Sequence, residues 1–139
     1  MKILSFTSLP QAAGFIRQKV FVEEQGFEYE FDSIDDVATH FVLFSDEETP
    51  IATCRVFWNE EKSSYILGRL AVIKEYREKG LGRALVEAVE KYVKEMGGNL
   101  LQLHAQCRIT SFYEHLGFVP FGDIEDEEDC PHIWMKKRI

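Results

Sequence analysis

The sequence predicts an α+β domain built on a mixed sheet, and three observations carry that expectation. Residues 40–72 hold three runs rich in β-branched and aromatic residues, divided by turn residues. The residues after Gly80 repeat apolar side chains at a clean 3.6-residue period. No internal repeat or linker interrupts the 139 residues, so a single domain over 1–139 is expected. The element order reads β-α-β-β-β-α-β-α-β-β, a layered arrangement of sheet and helices.

Each element has its own warrant. "MKILSF" is a short apolar strand. Ser8 is placed to cap the following helix, with Pro10 in its first turn. Phe15, Ile16, Val20 and Phe21 recur at helical spacing, and Gly26 marks the end. "EYEFDSIDDVATH" is acidic and irregular, which predicts a loop with a helical turn. "HFVLFS", "IATCRVFW" and "YILGRLAVI" form a strand meander across "DEETP" and "NEEKSS". Gly68 inside the third strand predicts a bulge or a close backbone approach. The next helix carries Leu81, Leu85, Ala88, Val89, Tyr92, Val93 and Met96 on one face, and "GGN" stops it. "LLQLHAQ" is a strand and "ITSFYEHLG" a short helix. "FVPFG" and "HIWMKK" are closing strands on either side of an acidic loop, "DIEDEED".

Composition bounds the function. Hydrophobic residues make up 45% and aromatics 13%, a globular balance. A formal net charge of -8 argues against nucleic acid and against an anionic membrane as partner, and it is compatible with a cationic substrate. Neither a leader peptide nor a membrane span is expected. Cys54, Cys107 and Cys130, an odd set without C-x-x-C, fit reduced thiols in a cytoplasmic protein.

The stretch "YREKGLGRALVEAVEKY" carries the chemistry. It sets Arg77, Gly80 and Gly82 ahead of a strong helix. A helix start offers unpaired N–H groups and the positive end of the macrodipole, and glycines let a ligand approach the backbone. That is a phosphate cradle, with Arg77, Lys79 and Arg83 as added cations. It is neither a P-loop, lacking G-K-[ST], nor a dinucleotide fingerprint, since position 85 is Leu.

"RLAVIKEYREKGLGRAL" resembles the pyrophosphate-binding motif of the GNAT-type N-acetyltransferases, and "SFYEHLGF" at 111–118 resembles that family's second hallmark. "RQKVFVEEQ", "DSIDDVATH", "HAQCRITSFYEHLGF" and "CPHIWM" resemble the small ElaA-like bacterial subgroup. The resemblance spans nearly the whole chain. It implies an acyl-CoA N-acyltransferase fold: a mixed, mostly antiparallel sheet with helices on both faces. It implies transfer of an acetyl group from acetyl-CoA, as co-substrate, to an amine of a small molecule or peptide. A homodimer is left open.

Carried over residue by residue, the loop Arg77, Glu78, Lys79, Gly80, Leu81, Gly82 and Arg83 holds the pyrophosphate. The strand residues Leu70, Ala71 and Val72 pair with the pantetheine arm. Gln106 stands where many members carry an Asn that contacts the arm, a change of reach. Tyr113 matches the tyrosine whose hydroxyl faces the CoA sulfur. A thiol near pKa roughly 8.5 and a phenol near about 10 exchange a proton at low cost. The plain reading of Tyr113 is a packed helix residue beside Phe112.

The acceptor amine also needs a base or a water chain. Candidates are Glu23, Glu24, Glu28, His40, His104 and His132, with no choice among them from sequence. Glu23, Glu24, Arg69 and His104 are the residues expected on the acceptor side. Arg55 and Arg69 either line that cleft or point outward from alternating strands. A metal site from His104, Cys107, Cys130 and His132 is set aside because its spacing is wrong for zinc. Cys107 as nucleophile is set aside for a buried thiol. The serious alternative is a CoA-binding regulatory module on the same fold, because fold alone does not establish activity.

Overall fold

A computed structural model describes residues 1–139. One sheet of seven strands runs through the molecule in the order β1-β2-β3-β4-β5-β7-β6. The strands are β1 (Lys2–Phe6), β2 (Thr39–Phe44), β3 (Pro50–Asn59), β4 (Ser64–Val72), β5 (Leu100–Gln106), β6 (Val119–Glu127) and β7 (Cys130–Arg138). Only β4 and β5 are parallel; every other neighbouring pair is antiparallel. The expected strand and helix order is the observed one.

Strand alternation explains why helices cover both faces. On β2, Phe41 and Leu43 join the core under α2 (Leu81–Glu95), while Val42 between them packs with Ala13, Ile16 and Val20 of the first helical segment. That segment is α1 (Gln11–Arg17), which continues as a π-helical stretch, Gln18–Glu24, until Gly26 takes φ 80°. On α2 the buried stripe is Leu81, Leu85, Val86, Val89 and Val93; Met96, expected on that face, is the exposed C-cap. A Cβ on Gly98 would lie 2.6 Å from Val93 and 2.9 Å from Tyr65, so glycine there lets the chain pass under β4.

Two expectations fail. Ser8 caps nothing: α1 begins after Pro10, which is the N-cap and offers no side-chain acceptor. The acidic run is not a loop. β6 runs through it to Glu127, and only Glu128 and Asp129, both at positive φ, make the turn into β7. β6 is the sheet edge and is exposed on nearly every residue, so it lacks the hydrophobic alternation that marks a strand. α3 (Thr110–His115) is the short helix expected before Gly117.

Candidate active site

The site starts from a bulge. Arg55 pairs with Gly68 and Thr53 with Ala71, so Cys54 alone opposes Arg69 and Leu70. Arg69 takes φ 54° to absorb the extra residue. β4 then bends away from β5: the two strands pair only at Tyr65–Leu67 against Leu101–Leu103. The opening is a cavity of about 570 Å³, lined among others by Arg69, Leu70, His104, Gln106, Tyr113 and Trp134. Ala71 is not part of it; its side chain packs in the core under α1. The carbonyl of Val72 accepts a 2.9 Å hydrogen bond from Arg77 Nε, which ties the loop to the end of β4.

The loop between β4 and α2 has the backbone that the glycines require. Gly80 is the N-cap of α2 at φ 77°, with no side chain capping the helix, and Glu78 is also left-handed at φ 63°. The first intrahelical bond from this end is Ala84 N–H to the Gly80 carbonyl, so the amides of Leu81, Gly82 and Arg83 point outward unpaired. Gly82 serves packing as well. A Cβ there would meet the Phe112 ring at 3.1 Å and Leu70 at 4.0 Å, which brings α2, α3 and the bulged strand together.

Arg77 is paired within the protein. Its guanidinium makes two 2.7 Å hydrogen bonds to Glu24, and these hold Glu24 below the usual carboxylate range. Arg77 thus ties the loop to the end of the π-helical segment, and its charge is spent there. Glu24 is paired by the same contact and does not line the cavity. Lys79, near the Tyr76 ring, and Arg83, 3.6 Å from Glu87, remain as cations at the helix start. Glu23 is exposed and lies outside the cavity.

Tyr113 is 6% exposed and packs edge-on against Phe112 and Phe118, with ring centroids 5.0 and 5.9 Å away. It also lines the cavity, so the packing and the functional readings describe the same residue. Burial, with a smaller push from Cys54, raises its phenol well above the ordinary value. The near-match of phenol and thiol acidities expected from the sequence does not hold for a phenol raised in this way, whose proton is held more tightly than a free tyrosine's. Gln106 donates 2.9 Å to Gln25 Oε1 and accepts 2.9 Å from Arg108 Nε, which clamps β5 to the segment after α1.

The far wall rests on a buried ion network that the sequence reading missed. Arg17, 1% exposed, bonds Glu30 Oε2 at 2.9 Å and Asp35 Oδ1 at 2.7 Å. Arg55 bonds Asp32 at 2.6 Å and Asp35 at 2.8 Å, and Arg69 reaches Glu30 at 3.0 Å and Asp32 at 3.3 Å. Arg55 and Arg69 thus point inward, toward the cleft, rather than outward. Burial pushes Asp35 up, but the Arg17 bonds and charge, then Arg55, pull it further down, to about 2. Burial raises Glu30 against the pull of Arg69 and Arg17. The network folds the acidic loop into a wall of the cavity. His40 Nε2 sits 3.0 Å from the Asp35 carbonyl, which makes it a support of this wall, and it does not line the cavity.

At the mouth, His104 stacks on Trp134 with centroids 4.8 Å apart, and its Nδ1 lies 2.9 Å from Glu127 Oε2. His132 Nε2 is 3.4 Å from the same oxygen. Hydrogen bonds from His104, ahead of the opposing effect of burial, hold Glu127 low. Glu128 accepts from the Glu28 amide at 2.8 Å, so the β6–β7 turn is tied down beside the cavity that Glu128 lines. No group of three or more His, Cys, Asp or Glu side chains stands close enough to hold a metal ion.

Residues 8–118 match the model of the Acetyltransferase (GNAT) family. The chain belongs to that family. A Bacillus subtilis protein named only provisionally as an acetyltransferase is 34% identical over 128 residues, covering 88% of this chain and 85% of its own. A solved Lactobacillus plantarum structure, named in the same provisional way as an N-acetyltransferase, is 32% identical with a TM-score of 0.90, over 99% and 97% of the two chains. Escherichia coli ElaA shares the fold at a TM-score of 0.83 and 22% identity, covering 98% of each chain. An aminoglycoside 6'-N-acetyltransferase solved with coenzyme A shares it at 0.78 and 18%, over 99% and 97%. In this GNAT member no helix is long and apolar enough to cross a membrane.

Proposed function

We propose that this GNAT protein transfers the acetyl group of acetyl-CoA directly to an amine. The observation that carries the reading is the opening of β4 from β5 beyond Leu67, directly beside the unpaired amides of Leu81–Arg83. The amides and the Lys79 and Arg83 charges suit a pyrophosphate. The freed edge of β4 around Leu70 suits the amide-bearing pantetheine arm, and a backbone N–H there polarises the thioester carbonyl. Tyr113 then donates to the sulfur as the C–S bond breaks. The same cavity, lined also by Trp134, Glu127 and Glu128, receives a cationic amine of a small molecule or peptide. Three unpaired cysteines fit a reducing, cytoplasmic setting.

The test is release of free CoA thiol from acetyl-CoA with a panel of primary amines, with the product mass checked for one added acetyl group. Turnover with any amine supports the enzyme. Tight CoA binding without turnover across the panel would favour the CoA-binding regulatory module.

A further inference from the structure

The proposed reaction leaves one proton without a destination: the acceptor arrives as an ammonium and must lose it before attack. We propose that His104 takes this proton at Nε2, held for the task by Glu127 and the Trp134 ring, with Glu125 guiding the ammonium into place. The proposal rests on the acetyl-transfer reading.

The ring is oriented from several sides. A carboxylate only accepts, so the 2.9 Å contact of Nδ1 with Glu127 Oε2 fixes the proton of a neutral imidazole on Nδ1 and leaves a lone pair on Nε2. Nε2 is buried and has no hydrogen-bond partner. Trp134 holds the ring nearly parallel, at 21°. The charged and titratable groups around it come from each neighbouring strand. From β6, Glu125 Oε1 lies 3.3 Å from Nε2, out of hydrogen-bonding line, and Glu127 faces Nδ1. From β7, His132 lies 5.0 Å away centroid to centroid; its Nδ1 donates to the Cys130 carbonyl at 2.7 Å and its Nε2 faces Glu127. From β4, the Arg69 charge acts on Glu127. Lys62 Nζ lies 4.0 Å over the Trp134 ring.

Nε2 is buried with the Glu125 carboxylate 3.3 Å away, but the Glu125 side chain is 60% exposed, so in this scheme it swings aside to uncover Nε2 and receives the ammonium next to it. The chemistry then balances. The ammonium gives one proton to Nε2. The amine lone pair forms the C–N bond with the thioester carbonyl. The C–S pair leaves on sulfur, which is protonated through Tyr113, and Tyr113 regains its proton from the nitrogen of the intermediate. The Nε2 proton returns to solvent as the product leaves. Glu127 is a positioning residue in this scheme, and its variants must change the ring and not only the rate.

Two readouts decide it. Long-range proton–nitrogen correlation spectra resolve the ring nitrogens of the four histidines, and loss of one set in His104→Gln assigns the ring. The neutral His104 ring is expected to carry its proton on Nδ1, and Glu127→Leu to move it to Nε2. An Nε2–H tautomer in the wild type, or a ring doubly protonated throughout pH 6–9, overturns the proposal. With the amine found by thiol release, His104→Gln should lower kcat/KM at pH 7 by about 10²–10⁴-fold, less near the amine's own pKa, with acetyl-CoA affinity kept. Wild-type turnover with unimpaired His104→Gln overturns the base alone. A wild type without turnover overturns the acetyl-transfer reading as well.

Discussion

Tyr113 and Arg17 show how one side chain takes its meaning from its surroundings. Tyr113→Phe removes a single hydroxyl at the cavity wall and leaves the contacts with Phe112 and Phe118. Acetyl-CoA affinity should hold while the single-turnover rate at pH 7 falls by about 10²–10⁴-fold, and by less at pH 9, where a departing thiolate needs a donor least. Equal rates at pH 7 would leave Tyr113 a packing residue only. Arg17 is the converse case. Nothing in "GFIRQK" distinguishes it from a solvated helix arginine, because its partners Glu30 and Asp35 lie 13 and 18 residues away. Arg17→Met takes one of two arginine partners from each of two buried carboxylates, leaving Glu30 to Arg69 and Asp35 to Arg55. A destabilisation of about 3–5 kcal/mol in urea unfolding is expected. A change within 0.5 kcal/mol, roughly the noise of an exposed site, would show that the network does not hold the loop.

At the scale of elements, α2 and its loop were the most legible part. Their signals are local: an apolar period, and a glycine where the chain must turn left-handed. Gly80→Ala meets no atom within 4 Å, so its cost is conformational. A loss of about 1–2 kcal/mol and weaker CoA binding are expected from calorimetry and thermal unfolding. Unchanged binding would mean that the loop backbone does not shape the site. Gly68 was also readable, since a glycine inside a strand signals the bulge that opens β4 from β5. The roles of Arg77 and Glu24 were not, because the ion pair joins segments 53 residues apart. β6 was hidden for a different reason: an edge strand bathed in solvent on both faces keeps no hydrophobic pattern, so its acidic residues read as loop. With it went Glu127, one of the polar groups that matter most at the cavity mouth.

For the whole molecule, charge and pH carry the remaining expectations. Asp35 has its carboxyl lowered from 3.8 to about 2 in the folded state. A lowered carboxylate binds its proton less tightly when folded than when unfolded. The stability it supplies is therefore complete above pH 3.8 and drains away as pH falls toward 2. Glu30, raised by burial, works in the opposite sense and favours the acid side. Urea unfolding at pH 5 and pH 2.5 should show a smaller acid loss in Asp35→Asn than in the wild type, although the variant starts less stable. An equal loss in both would remove Asp35 from the acid response. A net charge of -8 predicts no useful affinity for duplex DNA or RNA at moderate salt, and a gel shift that is tight and salt-sensitive would contradict it.

The central claim is that the opening between β4 and β5 holds acetyl-CoA with its thioester toward Tyr113. A co-crystal structure with CoA tests it most directly. The account predicts the pyrophosphate on the amides of Leu81, Gly82 and Arg83, the pantetheine arm along β4 at Leu70, and the sulfur within hydrogen-bond reach of the Tyr113 hydroxyl. CoA seated elsewhere on the molecule, or in the cleft with its sulfur remote from Tyr113, would contradict it.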